Sequence, residues 1–106
     1  MDKQHLKFKE NLACYRKQKG LLQKTLAERL GVSTSAVSNW ESGINFPRLD
    51  TVYNICDALE ISISQLLEID ESKYTKEEQE LIHAYNKNPL MQPAIRRLLG
   101  LSTDNH

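Results

Sequence analysis

The stretch VSTSAVSNWESG, residues 32–43, places short hydrogen-bonding side chains at helical spacing. At 100° per residue, four of them fall together on one side of a helix, away from the apolar anchors of the stretch: Ser35, Ser38, Asn39 and Ser42. Hydroxyl and amide groups donate and accept hydrogen bonds, so this side is suited to recognising a ligand. The alternative is a merely solvated surface, although exposed helix faces are more often built from Lys, Glu and Ala, which are better helix formers.

The sequence contains no pattern of residues that is typical of catalysis. No nucleophile, base and orienting group form a recognisable trio, and no glycine-rich phosphate loop occurs. Cys14 and Cys56 are far apart in the sequence, and with the three histidines they make no metal-ligand spacing. We therefore expect neither an enzyme nor a metal or cofactor site.

Apolar residues recur with helical spacing through nearly the whole chain, and no stretch alternates with the period of two that is typical of strands. The sequence therefore predicts an all-α protein. Five helices are expected by residue 68: one with Phe8, Leu12 and Tyr15 on a single face, then 23–30, 34–42, one from Leu49 to Leu59, and a short one after Ser62. Two more are expected beyond residue 75, the first through TKEEQELIHAYNK and the last at about residues 93–99.

Residues typical of helix ends mark these boundaries. Gly31 and Gly43 follow the second and third helices, where glycine adopts the left-handed conformation at little cost. Ser33 can cap the third helix, because its hydroxyl can accept a hydrogen bond from a free amide of the first turn. Two capping boxes open the fifth and sixth helices: Ser62 with Gln65, and Thr75 with Glu78.

The second and third predicted helices are separated by only three or four residues, so the chain must turn sharply between them. Small residues, among them Ala27, Gly31 and Ala36, stand where the two backbones would approach. This geometry directs the third helix outward. Its polar side would fit the major groove of B-DNA, which is about 12 Å wide, and short hydroxyl and amide side chains can reach base edges there.

Residues 20–67 resemble the helix-turn-helix domain of the Cro and phage-repressor type, also called the xenobiotic-response-element (XRE) type. The resemblance rests on motifs that occur in register: GL-x-Q at 20–23, LA at 26–27, LGVS at 30–33, VSNWE at 37–41, Gly43, Pro47, and an LL-ended helix after ISIS. It implies a five-helix, lambda-repressor-like domain. In such a domain the third helix reads the major groove while the second lies across the DNA backbone.

The resemblance also assigns residues to DNA contacts. The base-contact candidates are Thr34, Ser35, Ser38 and Asn39, of which Asn39 can pair with adenine through two hydrogen bonds. The backbone-contact candidates are Gln23, Ser42, Asn45 and Arg48, to which we add Lys24, because it lies near the free amides that start the second helix. Since no Arg, Lys or Gln occurs at the four base-contact positions, we expect specificity from a few weak contacts, DNA shape and two half-sites.

Other positions match the scaffold of that family. Arg16 and Glu41 occupy the places of a structural ion pair between the first helix and the third. Trp40 is expected to pack in the core instead of stacking on a base, and Cys56 to be a buried, unreactive thiol. Leu22 departs from the pattern, because the family usually has threonine or another cap there, and the second helix should therefore begin less firmly.

The chain of 106 residues has a formal net charge of zero, but its charges are segregated. Residues 1–48 carry nine Lys or Arg against four acids, whereas residues 49–68 carry four acids and no Lys or Arg. A basic front can face a polyanion although the pI is near neutral. The start MDKQHLKFKE lacks the apolar run of a signal peptide, and no stretch approaches the roughly 18 apolar residues of a membrane span, so we expect a cytoplasmic protein without a membrane partner.

These observations predict a DNA-binding domain at residues 1–68, a linker at 69–75 and a C-terminal helical extension at 76–106. The extension is too small to hold its own core, so it must pack on residues 1–68, on a second copy, or on both. We expect a sequence-specific transcriptional regulator, a repressor that binds a palindrome in double-stranded DNA as a homodimer.

Two other interpretations belong to different classes of function. The first is an antitoxin-like module whose C-terminal helices bind a protein partner while DNA binding is secondary. The second is an accessory subunit of an enzyme or a sensor of a small ligand. The chain has no sizeable third segment and therefore offers the second interpretation little room for a pocket.

Overall fold

The computed structural model describes the backbone of residues 3–87 and 89–100, and these ranges contain helices but no strand. The prediction of an all-α protein is confirmed. The α-helices are α1 (Lys3–Gln18), α2 (Gln23–Leu30), α3 (Thr34–Ser42), α4 (Leu49–Leu59), α5 (Ile63–Leu67), α6 (Lys76–His83) and α7 (Gln92–Leu98). Side chains are described for residues 7–85, 87 and 89–100, so the last six residues of the predicted extension lie outside the description. Within the described part, no helix is both long enough and apolar enough to cross a bilayer.

The helix ends follow from the residues at them. Gly31 and Gly43 adopt the left-handed conformation, with φ of 71° and 79°, and end α2 and α3. The Ser33 hydroxyl accepts a hydrogen bond of 3.0 Å from an amide in the first turn of α3. Both predicted capping boxes are confirmed: Ser62 with Gln65 at α5, and Thr75 with Glu78 at α6.

One apolar core is shared by the first five helices. Each contributes fully buried side chains, among them Leu12 of α1, Leu26 of α2, Val37 of α3, Val52 and Ile55 of α4, and Leu66 of α5. Trp40 is 7% exposed and lies in the same core, as predicted from its place in the sequence. Because Val37 and Trp40 hold the apolar side of α3 inward, the opposite side of that helix faces outward.

The C-terminal extension lies against α4. Tyr85 is fully buried, and its ring stacks on that of Tyr53 with centroids 4.3 Å apart and planes 6° apart. The Tyr53 hydroxyl donates to the carbonyl oxygen of Ile82 at 2.6 Å, and the Tyr85 hydroxyl donates to Asp50 Oδ1 at 2.7 Å. Burial, aided by the Asp50 carboxylate, raises the pKa of Tyr85 to about 12, so this hydroxyl remains a donor at neutral pH.

Helix α6 ends earlier than the sequence indicates. The helix predicted to run through TKEEQELIHAYNK stops at His83, and Tyr85–Lys87 form a 3-10 turn instead. In that turn Tyr85 meets both the ring of Tyr53 and the carboxylate of Asp50. These contacts join residues more than 30 positions apart, so no local spacing predicts them.

The predicted linker, residues 69–75, contains a 3-10 turn at Glu71–Lys73. The Glu71 carboxylate accepts a hydrogen bond from the Ser64 hydroxyl of α5 and lies 2.9 Å from His83 Nε2 of α6. The hydrogen bonds from Ser64 and His83 lower the pKa of Glu71. Tyr74 donates to the carbonyl oxygen of Leu98 at 2.9 Å, so the segment contacts α5, α6 and α7.

Ile82→Ala should lower the free energy of unfolding by about 2 to 5 kcal/mol, because it removes a fully buried side chain of α6 and leaves a cavity. The measurement is a urea titration followed by the fluorescence of Trp40, the only tryptophan of the chain. Since the extension packs on the core that holds Trp40, loss of the Ile82 contacts should lower the urea concentration at the midpoint of the Trp40 transition.

Glu80→Ala is the control, because Glu80 is an exposed residue of the same helix, and it should change the free energy of unfolding by less than about 0.5 kcal/mol. An Ile82→Ala variant whose Trp40 transition is unchanged would contradict a core shared between the extension and α4.

Candidate nucleic-acid interface

The polar side of α3 faces away from the core. Thr34, Ser35 and Ser42 are exposed, and Ser38 and Asn39 are half-buried. The Ser42 hydroxyl donates to the carbonyl oxygen of Ser38 at 2.8 Å. The side chains of the other four make no hydrogen bond with any described residue. The four predicted base-contact side chains therefore have their donors and acceptors available to a ligand.

A buried ion pair fixes α3 against α1. Arg16 Nε donates to Glu41 Oε2 at 2.6 Å, and Arg16 Nη2 donates to Glu41 Oε1 at 3.0 Å. Only 10% and 9% of the two side chains are exposed. Two parallel hydrogen bonds between a planar guanidinium and a carboxylate set the relative orientation of the groups as well as their distance. The hydrogen bond to Glu41 raises the pKa of Arg16, which keeps the guanidinium charged.

The same pair is joined to the start of α2. Arg16 Nη1 donates to the carbonyl oxygen of Leu21 at 2.7 Å, and Gln23 Nε2 donates to Glu41 Oε1 at 3.0 Å. One network therefore ties α1, the beginning of α2 and the end of α3. The sequence did not indicate the bond from Gln23 to Glu41, because no local spacing relates two residues that belong to different helices.

The predicted backbone-contact residues form two groups along the chain. Gln23 and Lys24 start α2, whereas Ser42, Asn45 and Arg48 lie at and beyond the end of α3. The bond from Gln23 to Glu41 brings the first group close to the end of α3. All five are exposed except Gln23, which is half-buried and still has a second amide hydrogen without a described partner.

The start of α2 has no cap. Leu22 occupies the N-cap position without a side-chain hydrogen bond, and its side chain is 69% exposed. The first amides of a helix have no acceptor within the helix, and the helix dipole places partial positive charge there. A phosphate oxygen can take the place of the missing cap, so the departure at Leu22 leaves an anion-binding helix end open.

Acidic partners neutralise part of the basic front of the chain. Lys7 lies 3.6 Å from Glu68, and Lys19 lies 2.7 Å from Glu60. Three other lysines make no ion pair with a described residue: Lys9, Lys17 and Lys24. The positive charge available to a polyanion therefore comes from fewer side chains than the sequence count indicates.

Comparisons with known proteins agree with this geometry. A helix-turn-helix family model matches residues 15–66. The chain is 39% identical over 61 residues to the cryptic phage CTXphi transcriptional repressor RstR of Vibrio cholerae, an alignment that covers 58% of this chain and 54% of that protein. It is 38% identical over 66 residues to the helix-turn-helix-type transcriptional activator BcrR of Enterococcus faecalis, with coverage of 62% and 32%. The chain thus spans only part of the length of these relatives.

A solved structure shares the fold. The solution structure of the SOS-response transcriptional repressor LexA from Eubacterium rectale matches with a TM-score of 0.59 and 36% identity, over 71% of this chain and 89% of that one. This coverage is larger than the stretch that the family model matches. The similarity in fold therefore extends beyond the helix-turn-helix motif.

Arg16→Met should lower the free energy of unfolding by about 3 kcal/mol, because it leaves the Glu41 carboxylate buried without its counter-ion. The double variant Arg16→Met/Glu41→Leu should recover part of this loss, since neither charge then remains. Urea unfolding of the two single variants and the double variant gives the coupling free energy.

Lys19→Met is the matched control, because its partner Glu60 is 76% exposed and such surface pairs contribute at most about 1 kcal/mol. If Arg16→Met costs no more than Lys19→Met, the buried pair does not hold α3 in place.

Proposed function

This chain belongs to the Cro and phage-repressor (XRE) type of helix-turn-helix transcriptional regulators, a family of regulators and not of enzymes, and we propose that it represses transcription by binding a palindromic operator in double-stranded DNA as a homodimer. The observation that carries this proposal is the exposed polar side of α3. The side chains of its four base-contact candidates make no hydrogen bond with any described residue: Thr34, Ser35, Ser38 and Asn39.

The dimensions of α3 suit the major groove. A helix with its side chains is about 10 to 12 Å across, and the groove is about 12 Å wide. Thr34 and Ser35 lie in the first turn, the part of a recognition helix that contacts base edges. Asn39 lies further along α3. Its amide NH2 can donate to N7 of adenine while its Oδ1 accepts from the N6 amino group, and this pair of hydrogen bonds identifies adenine.

Contacts with the sugar-phosphate backbone would then fix α3 in the groove. The uncapped amides of α2, together with Gln23 and Lys24, face one set of phosphates. Ser42, Asn45 and Arg48 supply polar groups at the other end of α3. Such contacts set the register of the protein on the duplex and carry no sequence information themselves.

We propose a homodimer because the short side chains of a single α3 can distinguish few base pairs. Its short side chains lack the arginine that makes the strongest guanine contact, so a second half-site is needed for specificity. Two recognition helices must then lie roughly 34 Å apart. Within the described extension, Leu90 and Met91 are the exposed large apolar residues, at 94% and 39%, and we place the contact with a second copy there.

Of the three similar proteins described above, two are named repressors, which favours repression over activation.

Selection of bound sites from a pool of random duplexes, followed by light scattering of the free protein, tests the proposal. We expect an enriched sequence with two-fold symmetry and a particle of twice the mass of the chain. A pool without any enriched sequence would contradict sequence-specific recognition. Purification from the native host in a fixed ratio with a different protein would instead favour the antitoxin-like alternative.

Asn39→Ala should weaken binding to the selected site by about 1 to 3 kcal/mol per half-site and relax the preference at one base pair of each half-site, because it removes a base contact from each copy. Titrations with the selected duplex and with a random duplex measure the two affinities. Asn54→Ala, an exposed asparagine of α4, is the control and should leave both affinities unchanged. Equal losses on the two duplexes would contradict base recognition by Asn39.

A further inference from the structure

The side chain of Lys9 crosses the end of the recognition helix. A Cβ atom built on Gly43 would lie 2.9 Å from Lys9 Cδ and 3.4 Å from Lys9 Nζ, so the lysine stem occupies the space that a side chain at residue 43 would need. Gly43 also ends α3 with a φ of 79°. The ammonium group of a residue from α1 is thereby placed beside the segment that leads out of α3.

Lys9 lies on the same face of α1 as Arg16, which belongs to the buried ion pair. Lys9 precedes Arg16 by seven residues, about two helical turns, so both project from the same face of α1. Since Arg16 holds that face against α3 through Glu41, Lys9 is held over the end of the same helix. The partial negative charge at the C-terminus of α3 favours an ammonium group there even in the free protein.

The ammonium group of Lys9 has no partner in the part of the chain that the structure describes. Lys9 makes no ion pair or hydrogen bond with any described residue, although it is half-buried. Lys7, two residues earlier, lies instead 3.6 Å from Glu68. Lys9 differs from an ordinary solvated lysine, because its aliphatic chain is packed while its ammonium group has no described partner. The side chain has therefore lost part of its conformational entropy before any ligand binds.

The surroundings of the Lys9 ammonium match the proposed DNA surface. Ser42 directly precedes Gly43, and Asn45 follows it by two residues; both are exposed and both are proposed to contact the DNA backbone. Ile44 between them is 70% exposed and adds no charge. A phosphate that contacts Ser42 and Asn45 would lie close to the ammonium group that Lys9 places there.

We propose that Lys9 is a further contact with the DNA backbone and binds a phosphate group at the end of α3. This inference rests on the proposed function, because α3 must enter the groove before a phosphate reaches this point. It also assigns Gly43 a second role beyond its left-handed conformation: the absence of a side chain leaves room for the stem of Lys9.

Lys9→Met tests the inference, because it keeps most of the aliphatic stem over Gly43 and removes the charge. Affinity is measured against salt concentration for the selected duplex and for a random one. We expect weaker binding to both duplexes by a similar factor. The steepness of log affinity against log salt should fall by about 1.8 for the dimer, because each of its two copies loses one phosphate contact of about 0.9. Lys9→Arg, which keeps the charge, should retain the slope of the parent protein.

Lys17→Met is the matched control, because Lys17 is an exposed lysine of the same helix without an ion pair to any described residue; its slope should equal that of the parent. A Lys9→Met variant with the parent slope overturns the inference, as does an equal reduction in Lys17→Met, which would indicate a general effect of net charge. In either case the proposed function stands as long as the parent protein binds its selected site. A parent protein that binds no duplex overturns both.

Discussion

The buried pair of Arg16 and Glu41 is the constraint on which the rest of the structure depends. Its two parallel hydrogen bonds, together with those to the Leu21 carbonyl and from Gln23, join three helices at one point. None of these helices can slide without leaving a buried charge unpaired, which is costly in a protein interior. Helix α3 has only nine residues and would be marginal alone. Its fixed orientation therefore comes from this pair and from the core beneath it.

The two sides of α3 differ: one side holds the helix to the fold, and the other carries the side chains proposed for recognition. Val37, Trp40 and Glu41 point inward and make the contacts that hold α3, whereas the side chains of Ser35 and Asn39 on the other side make no hydrogen bond with a described residue. Because no residue serves both purposes, the polar side can vary without loss of the fold. This separation is consistent with relatives that share the domain while one is named a repressor and another an activator.

Local chemistry made much of the fold predictable. Helix ends depend on residues within about four positions, so Ser33, Gly43 and the capping box at Thr75 could be recognised from sequence. Contacts between distant residues could not be read from local spacing, and the pair of Arg16 and Glu41 was predicted only through the family resemblance. The early end of α6 at the Tyr53–Tyr85 stack, the bond from Gln23 to Glu41 and the path of Lys9 across Gly43 all belong to this second kind.

The missing N-cap at the start of α2 affects both the stability of the protein and its evolution. Threonine at position 22 would give the helix an oxygen acceptor of its own, and the free chain would gain stability. The same amide hydrogen would then be occupied when a phosphate arrived. With leucine there, the free protein lacks that small stabilisation, and the amide hydrogen stays available for the proposed phosphate contact. Selection for a sturdier fold and selection for tighter attachment to a polyanion would therefore pull this one position in opposite directions.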